Sequence, residues 1–121
     1  MTRTVPQLDI DAEVQRLRGF EMLPPDWNSY GAKTISHIAV CAAIDLLTHI
    51  ARAFDARPDF IAPVANGGVH LEWSGADAEI EVRVNPDNTF AYLYTHGEIH
   101  REKHGVPMDE VIAAVANTLA D

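Results

Sequence analysis

The densest run of residues able to do chemistry is HGEIHREKH, positions 96 to 104. His96, His100 and His104 are four apart, so on a helix their imidazoles share a face and could hold a zinc or nickel ion, with Glu98 or Glu102 beside them. On a strand, all the even-numbered side chains point one way, but those two apart stand about 7 Å along the backbone, too far for one ion to use them all. The run lacks the His-Glu-x-x-His order of a zinc peptidase and falls where a hairpin is expected. No metal and no other cofactor is therefore assigned. A metal-dependent or acid/base enzyme using His96, His100 and His104 stands as the alternative reading.

A second set comes from two alternating stretches, VHLEW and AEIEVRV, which project His70, Glu72, Glu79, Glu81 and Arg83 from one side of a sheet. Two carboxylates near a histidine do acid and base work only inside a pocket that shifts their proton affinities. Nothing in the sequence builds walls around them, so they read as a flat acidic docking surface. Ser29, Ser36 and Ser74 sit in turns without a glycine-flanked nucleophile elbow, and Cys41, inside an apolar run, reads as buried and inert. Gly67 and Gly68 open a strand and read as a hairpin turn, not a phosphate loop. No catalytic residue is assigned.

The elements that must position these residues follow from period. Ile10, Val14 and Leu17 predict a helix over Asp9 to Phe20, with Asp9, Asp11 and Glu13 favoured at its positive end. LPPDWNSYGA, positions 23 to 32, is neither helical nor alternating, since Pro24 and Pro25 stop the helix and Gly31 tolerates positive φ. It reads as an ordered connector that sets Trp27 and Tyr30 at the rim of a core. Ser36 caps a helix over His37 to Ala56, with Val40, Ile44, Leu47, Ala51 and Phe54 as its apolar stripe.

From Phe60 the period becomes 2. Strands are expected over Phe60 to Ala65, Val69 to Trp73, Ile80 to Val84 and Thr89 to Thr95, with Ile99 to His104 as a possible fifth. Pro107, with Asp109 and Glu110 in the first turn, opens a C-terminal helix. The fold class is α+β: two N-terminal helices, an antiparallel four- to five-stranded meander and a C-terminal helix, with the helices packed on one sheet face. One domain, 1–121, is expected, with residues 1–8 as a flexible tail.

Nine basic against eighteen acidic residues give a net charge of -9. That balance disfavours direct nucleic-acid binding and anionic membranes, and favours a partner protein with a basic surface. The single cysteine allows no internal disulfide and fits a reducing, cytoplasmic setting. The N-terminus lacks a signal-peptide pattern, and the apolar run from Ile38 to Leu47 reads as too short to span a bilayer.

WNSYGA at 27 to 32 and GGVHLEW at 67 to 73 together resemble a group of small bacterial proteins with no established activity; the likeness covers about residues 20 to 85. The resemblance implies two paired motifs and lends no catalytic residues. Physically, the pairing suggests that the connector touches the GGVHLEW strand, making Trp27, Asn28, Tyr30, Gly31 and Trp73 a structural latch. Glu72 either accepts a bond from Trp27 or Tyr30 or is solvated.

The function expected is that of a small acidic protein-interaction module, for example an antitoxin, immunity protein or inhibitor. Its partner-binding residues are His70, Glu72, Glu79, Glu81 and Arg83. A sensor with a pocket lined by Trp27, Tyr30 and Trp73 is a further alternative, and self-association is open through a sheet edge.

Overall fold

The computed structural model describes residues 8–121. The expected tail, residues 1–8, lies outside the described residues except for Leu8. The elements run α1 (Asp11–Phe20), α2 (His37–Phe54), β1 (Phe60–Pro63), β2 (Val69–Ser74), β3 (Ala78–Val84), β4 (Phe90–His96), β5 (Ile99–Val106) and α3 (Met108–Ala120). The five strands form one antiparallel sheet in the order β1-β2-β3-β4-β5. The fold is α+β and closes with a helix.

Alternation along the strands makes the sheet two-faced. Val69, Leu71 and Trp73 of β2 and Ile80, Val82 and Val84 of β3 are all buried. They share one core with Leu17 of α1, Leu46, Leu47 and Ile50 of α2, and Val111 and Val115 of α3. Burying side chains of this size contributes about 1.5–3 kcal/mol each relative to exposure, so this shared cluster is the main source of stability.

Helix α2 starts where Ser36 predicts: its Oγ accepts from the Ala39 N–H at 3.4 Å. It ends at Phe54, short of the expected Ala56, because Asp55 turns left-handed at φ +52°. Val40, Leu47 and Ala51 of the expected stripe are buried, and the buried face also takes in Ala39, Ala42, Ala43, Leu46 and Ile50, whereas Phe54 is 41% exposed and Cys41, expected inert in the core, is exposed. By length and composition α2 could cross a membrane, contrary to the shorter run read from sequence. Val40, Leu46, Leu47 and Ile50 of this helix are nonetheless committed to the core.

The connector is tied to itself before it meets anything else. Asp26 and Ser29 hold positive φ of 61° and 65°, and Gly31 sits at 82°. Such conformations are unfavourable for non-glycine residues unless local bonds hold them. Here the Asn28 carboxamide oxygen accepts from the N–H of Tyr30 at 2.8 Å and of Ala32 at 3.2 Å. Asp26 accepts from Gly31 through its side chain and donates to the Ala32 carbonyl through its N–H at 2.8 Å.

Beyond this knot the chain grips the β1–β2 turn: Lys33 N–H donates to Ala65 O at 2.9 Å and Ser36 N–H to Gly67 O at 2.8 Å. Gly67 has φ +95°, and a Cβ there would lie 2.9 Å from the Thr34 carbonyl oxygen; one at Gly68 would run into the Val84 carbonyl. The glycine pair thus does more than turn a hairpin. It lets connector, turn and the end of β3 meet main chain to main chain.

At the far side, the Tyr94 hydroxyl donates to the Asp121 carboxylate at 2.5 Å, tying β4 to the residue after α3. That hydrogen bond, with desolvation and the carboxylate's charge, raises the Tyr94 pKa above the ordinary phenol value.

Two expectations follow. Gly67→Ala lowers unfolding free energy by about 1–3 kcal/mol through backbone strain alone, measured by urea titration, while Gly19→Ala in α1, with open space around it, is neutral or gains up to about 1 kcal/mol. The stabilisation from Tyr94 is present at neutral pH and is lost as pH rises through the raised phenol value. Following tyrosinate absorbance should therefore show one late-titrating phenol that is missing in Tyr94→Phe.

Candidate functional site

The sheet face away from the core collects the charged residues of β2 and β3. The register aligns Phe60, Glu72, Glu81, Leu93 and Glu102 in one row across all five strands. The next row sets His70 opposite Arg83, and a third sets Ser74, Glu79, Thr95 and His100 in line. The structure therefore brings together His70, Glu72, Glu81 and Arg83, with Glu79 one row away.

Glu72 and Glu81 face each other directly, an arrangement that repels when both are ionised. His70 offsets it. Its Nε2 lies 2.7 Å from Glu72 Oε2 and 3.9 Å from Glu81 Oε1, and its side chain is only 12% exposed. On the ring's other side, Arg83 Nε–H donates to His70 Nδ1 at 3.2 Å. A nitrogen that accepts from a guanidinium carries no hydrogen, so the hydrogen sits on Nε2 and points at the two carboxylates. The Phe60 ring packs edge-on to the imidazole, centroids 6.0 Å apart.

The ligating atoms of His70, Glu72 and Glu81 lie within 4.8 Å of one another, close enough to hold a cation. The tautomer argues against it. A metal-binding imidazole normally donates its second N–H to an acceptor, which leaves the first nitrogen's lone pair free for the ion. Here Arg83 supplies a donor instead, and the nitrogen that faces the carboxylates is the protonated one.

The histidines of the 96–104 run do not converge. His96 falls on the core side of β4 in step with Tyr92 and Tyr94, whereas His100, opposite Thr95, falls on the open side. A two-residue turn at Gly97 and Glu98 separates them, so the expectation that all five even-numbered side chains share one side is corrected. Glu98 lies in the turn itself. His104 pairs with Glu102 at 2.9 Å and is 73% exposed. Together with His70, Glu81, Arg83 and Leu93 they line a depression of about 310 Å³.

The latch residues separate as well. Trp73 is 1% exposed, its indole nitrogen buried without a hydrogen-bond partner. Trp27 packs against the core margin and donates its indole N–H to Lys33 O at 3.0 Å, so Glu72 is not its partner. Tyr30 is 91% exposed and anchors nothing, because the left-handed residues on either side turn it outward. Trp27, Tyr30 and Trp73 therefore line no common pocket, which removes the sensor geometry expected from sequence.

Sequence reasoning missed Phe60 and Leu93 as members of the open face. A signal existed for Leu93, since TFAYLYT is apolar at both parities. For Phe60 the unrecognised register of the short β1 was decisive. Compared with protein-family models, curated proteins and solved structures, the chain matches none. No activity therefore reaches it by similarity.

Removing the Arg83 donor frees Nδ1 to carry the hydrogen and Nε2 to bind. Calorimetric titration of zinc into tag-free protein should show Arg83→Ala binding more tightly than wild type, by roughly ten- to a hundred-fold, the range over which outer-shell partners act.

Proposed function

We propose that this chain is a small acidic protein-interaction module whose open sheet face docks a basic partner, as an antitoxin, immunity protein or inhibitor would. The reading places the helices on one side only, as a scaffold, and leaves the other side for recognition. One observation carries it: the row Phe60, Glu72, Glu81, Leu93, Glu102, which sets an aromatic and an aliphatic side chain among three carboxylates across the full width of the sheet.

Interfaces combine buried apolar anchors with charges that steer and orient the partner. Phe60, 48% exposed, offers such an anchor, and the bonds from Arg83 through His70 to Glu72 hold the charges in place before any contact is made. Pre-ordered groups lose less freedom on binding. The face is favoured over the β5 edge, where the run His100 to His104 sets charges along the strand and so discourages strand addition. A cytoplasmic setting is part of the proposal and rests on the lone cysteine and the acidic composition.

The test is a pull-down from the native host at low salt, repeated with the double variant Glu79→Lys, Glu81→Lys. Wild type should recover a basic protein that is released as salt rises, and the variant should lose it while its stability stays within about 0.5 kcal/mol, as for ordinary surface changes. Recovery of the same partner by both proteins would exclude the open face as the interface.

A further inference from the structure

The chain contains one Asn-Gly pair, Asn66 and Gly67, and it lies in the turn where the connector meets β1 and β2. Asparagine before glycine is the most labile amide arrangement in a polypeptide, because no side chain on the following residue hinders its nitrogen from attacking the asparagine Cγ. Asn66 is exposed, so water reaches its carboxamide, whereas Gly67 is buried.

The closed turn keeps the two reacting groups out of line. Gly67 N–H donates to Val64 O at 2.9 Å, and Asn66 Oδ1 accepts from Gly68 N–H at 2.8 Å. The first bond aims the nitrogen's hydrogen, and with it the lone pair that deprotonation leaves, at Val64 instead of at Cγ of its neighbour. The second fixes the carboxamide over Gly68. Ring closure between Asn66 and Gly67 therefore requires the turn to open.

The two carbonyls that the connector grips stand on either side of Asn66: Ala65 O accepts from Lys33 N–H at 2.9 Å and Gly67 O from Ser36 N–H at 2.8 Å. Their spacing is the ordinary length of main chain through one residue. A Cβ at Gly67 would stand 2.9 Å from Thr34 O, and φ there is +95°. The glycine that makes the amide labile is thus one the seam cannot exchange.

We propose that Asn66 is a spontaneous modification site gated by this fold, converted to isoaspartate from the open turn and thereby unable to close the seam again. When the turn opens, the Gly67 nitrogen gives its proton to solvent base and attacks Asn66 Cγ. The Cγ–Nδ2 bond breaks, Nδ2 takes a proton from water and leaves as ammonia, and a five-membered succinimide remains. Water then adds to one of the two ring carbonyls. Opening at Cγ restores the ordinary peptide link and gives aspartate. Opening at the main-chain carbonyl leaves the chain running through Cβ and Cγ, one carbon longer, with the former main-chain carbonyl carbon as a free carboxylate. Nothing is oxidised or reduced, and water supplies the oxygen.

The two products meet the fold differently. Aspartate keeps the main-chain length, and its carboxylate accepts from Gly68 N–H as the carboxamide did. Isoaspartate puts Ala65 O and Gly67 O out of step with the Lys33 and Ser36 donors. Chains whose turn has opened are marked irreversibly, at a rate set by how often it opens.

The full chain is held at mildly alkaline pH, folded and in guanidinium, and the tryptic fragment ending at Arg83, in which Asn66 is the sole side-chain amide, is resolved into asparagine, aspartate and isoaspartate forms. Folded protein should convert at least about tenfold more slowly than unfolded protein, because reaction proceeds from the open population alone. Equal rates overturn the gate. Isoaspartyl chains, separated by ion exchange and returned to native buffer, should fail to regain the wild-type guanidinium transition, while Asn66→Asp regains it nearly in full. An isoaspartyl chain with the wild-type midpoint overturns the proposal. So does an Asn66→Asp chain as impaired as the isoaspartyl one, since the injury would then lie in charge and not in chain length.

Discussion

Everything in this fold depends on backbones meeting without side chains between them at Gly67 and Gly68. The connector can bond to Ala65 and Gly67 only because no Cβ holds Thr34 away, and β2 can start against the end of β3 only because Gly68 adds no bulk beside Val84. Once that seam closes, Ser36 is fixed, and with it the first residue of α2. The helix with the most buried residues is thus aimed at the sheet by a main-chain polar contact.

The open face shows the complementary economy, in which charges instead of apolar groups are held in register. Opposed glutamates on neighbouring strands are a penalty, and the chain answers it by placing a histidine two residues from Glu72 on the same strand and diagonal to Glu81, with an arginine directly across from the histidine. The result is a surface whose acidity is fixed in space. It differs from a merely acidic surface in that a partner finds the carboxylates already oriented.

Much of the sheet was legible in the sequence because a two-sided antiparallel sheet writes its burial as strict alternation, and β2 and β3 do so without exception. The glycine pair and the Ser36 cap were legible for similar local reasons. Errors arose where one residue changes the phase. Asp55 in a left-handed conformation ended α2 two residues early, and a stripe widened past its true edge, at about 100° per residue, put Cys41 inside when it is outside. Tyr30 was misplaced because three positive φ values in six residues leave no mark in a hydrophobic pattern. In the candidate site, His70, Glu72, Glu81 and Arg83 were legible from parity. The partners across strands were not, since register depends on turn geometry that sequence states only loosely.

The two tryptophans end in unlike surroundings, and this has an optical consequence. Trp73 lies buried in the core with its N–H unpaired by any protein group, whereas Trp27 sits at the margin with its N–H bonded to a carbonyl. Indole emission shifts to longer wavelength as the ring meets water and hydrogen-bonding groups, so the protein carries two intrinsic lamps of different colour, one in the sheet and one in the connector. Loosening of the connector alone dims or shifts the redder component while the bluer one persists. The chain thereby reports which of its two halves opens first.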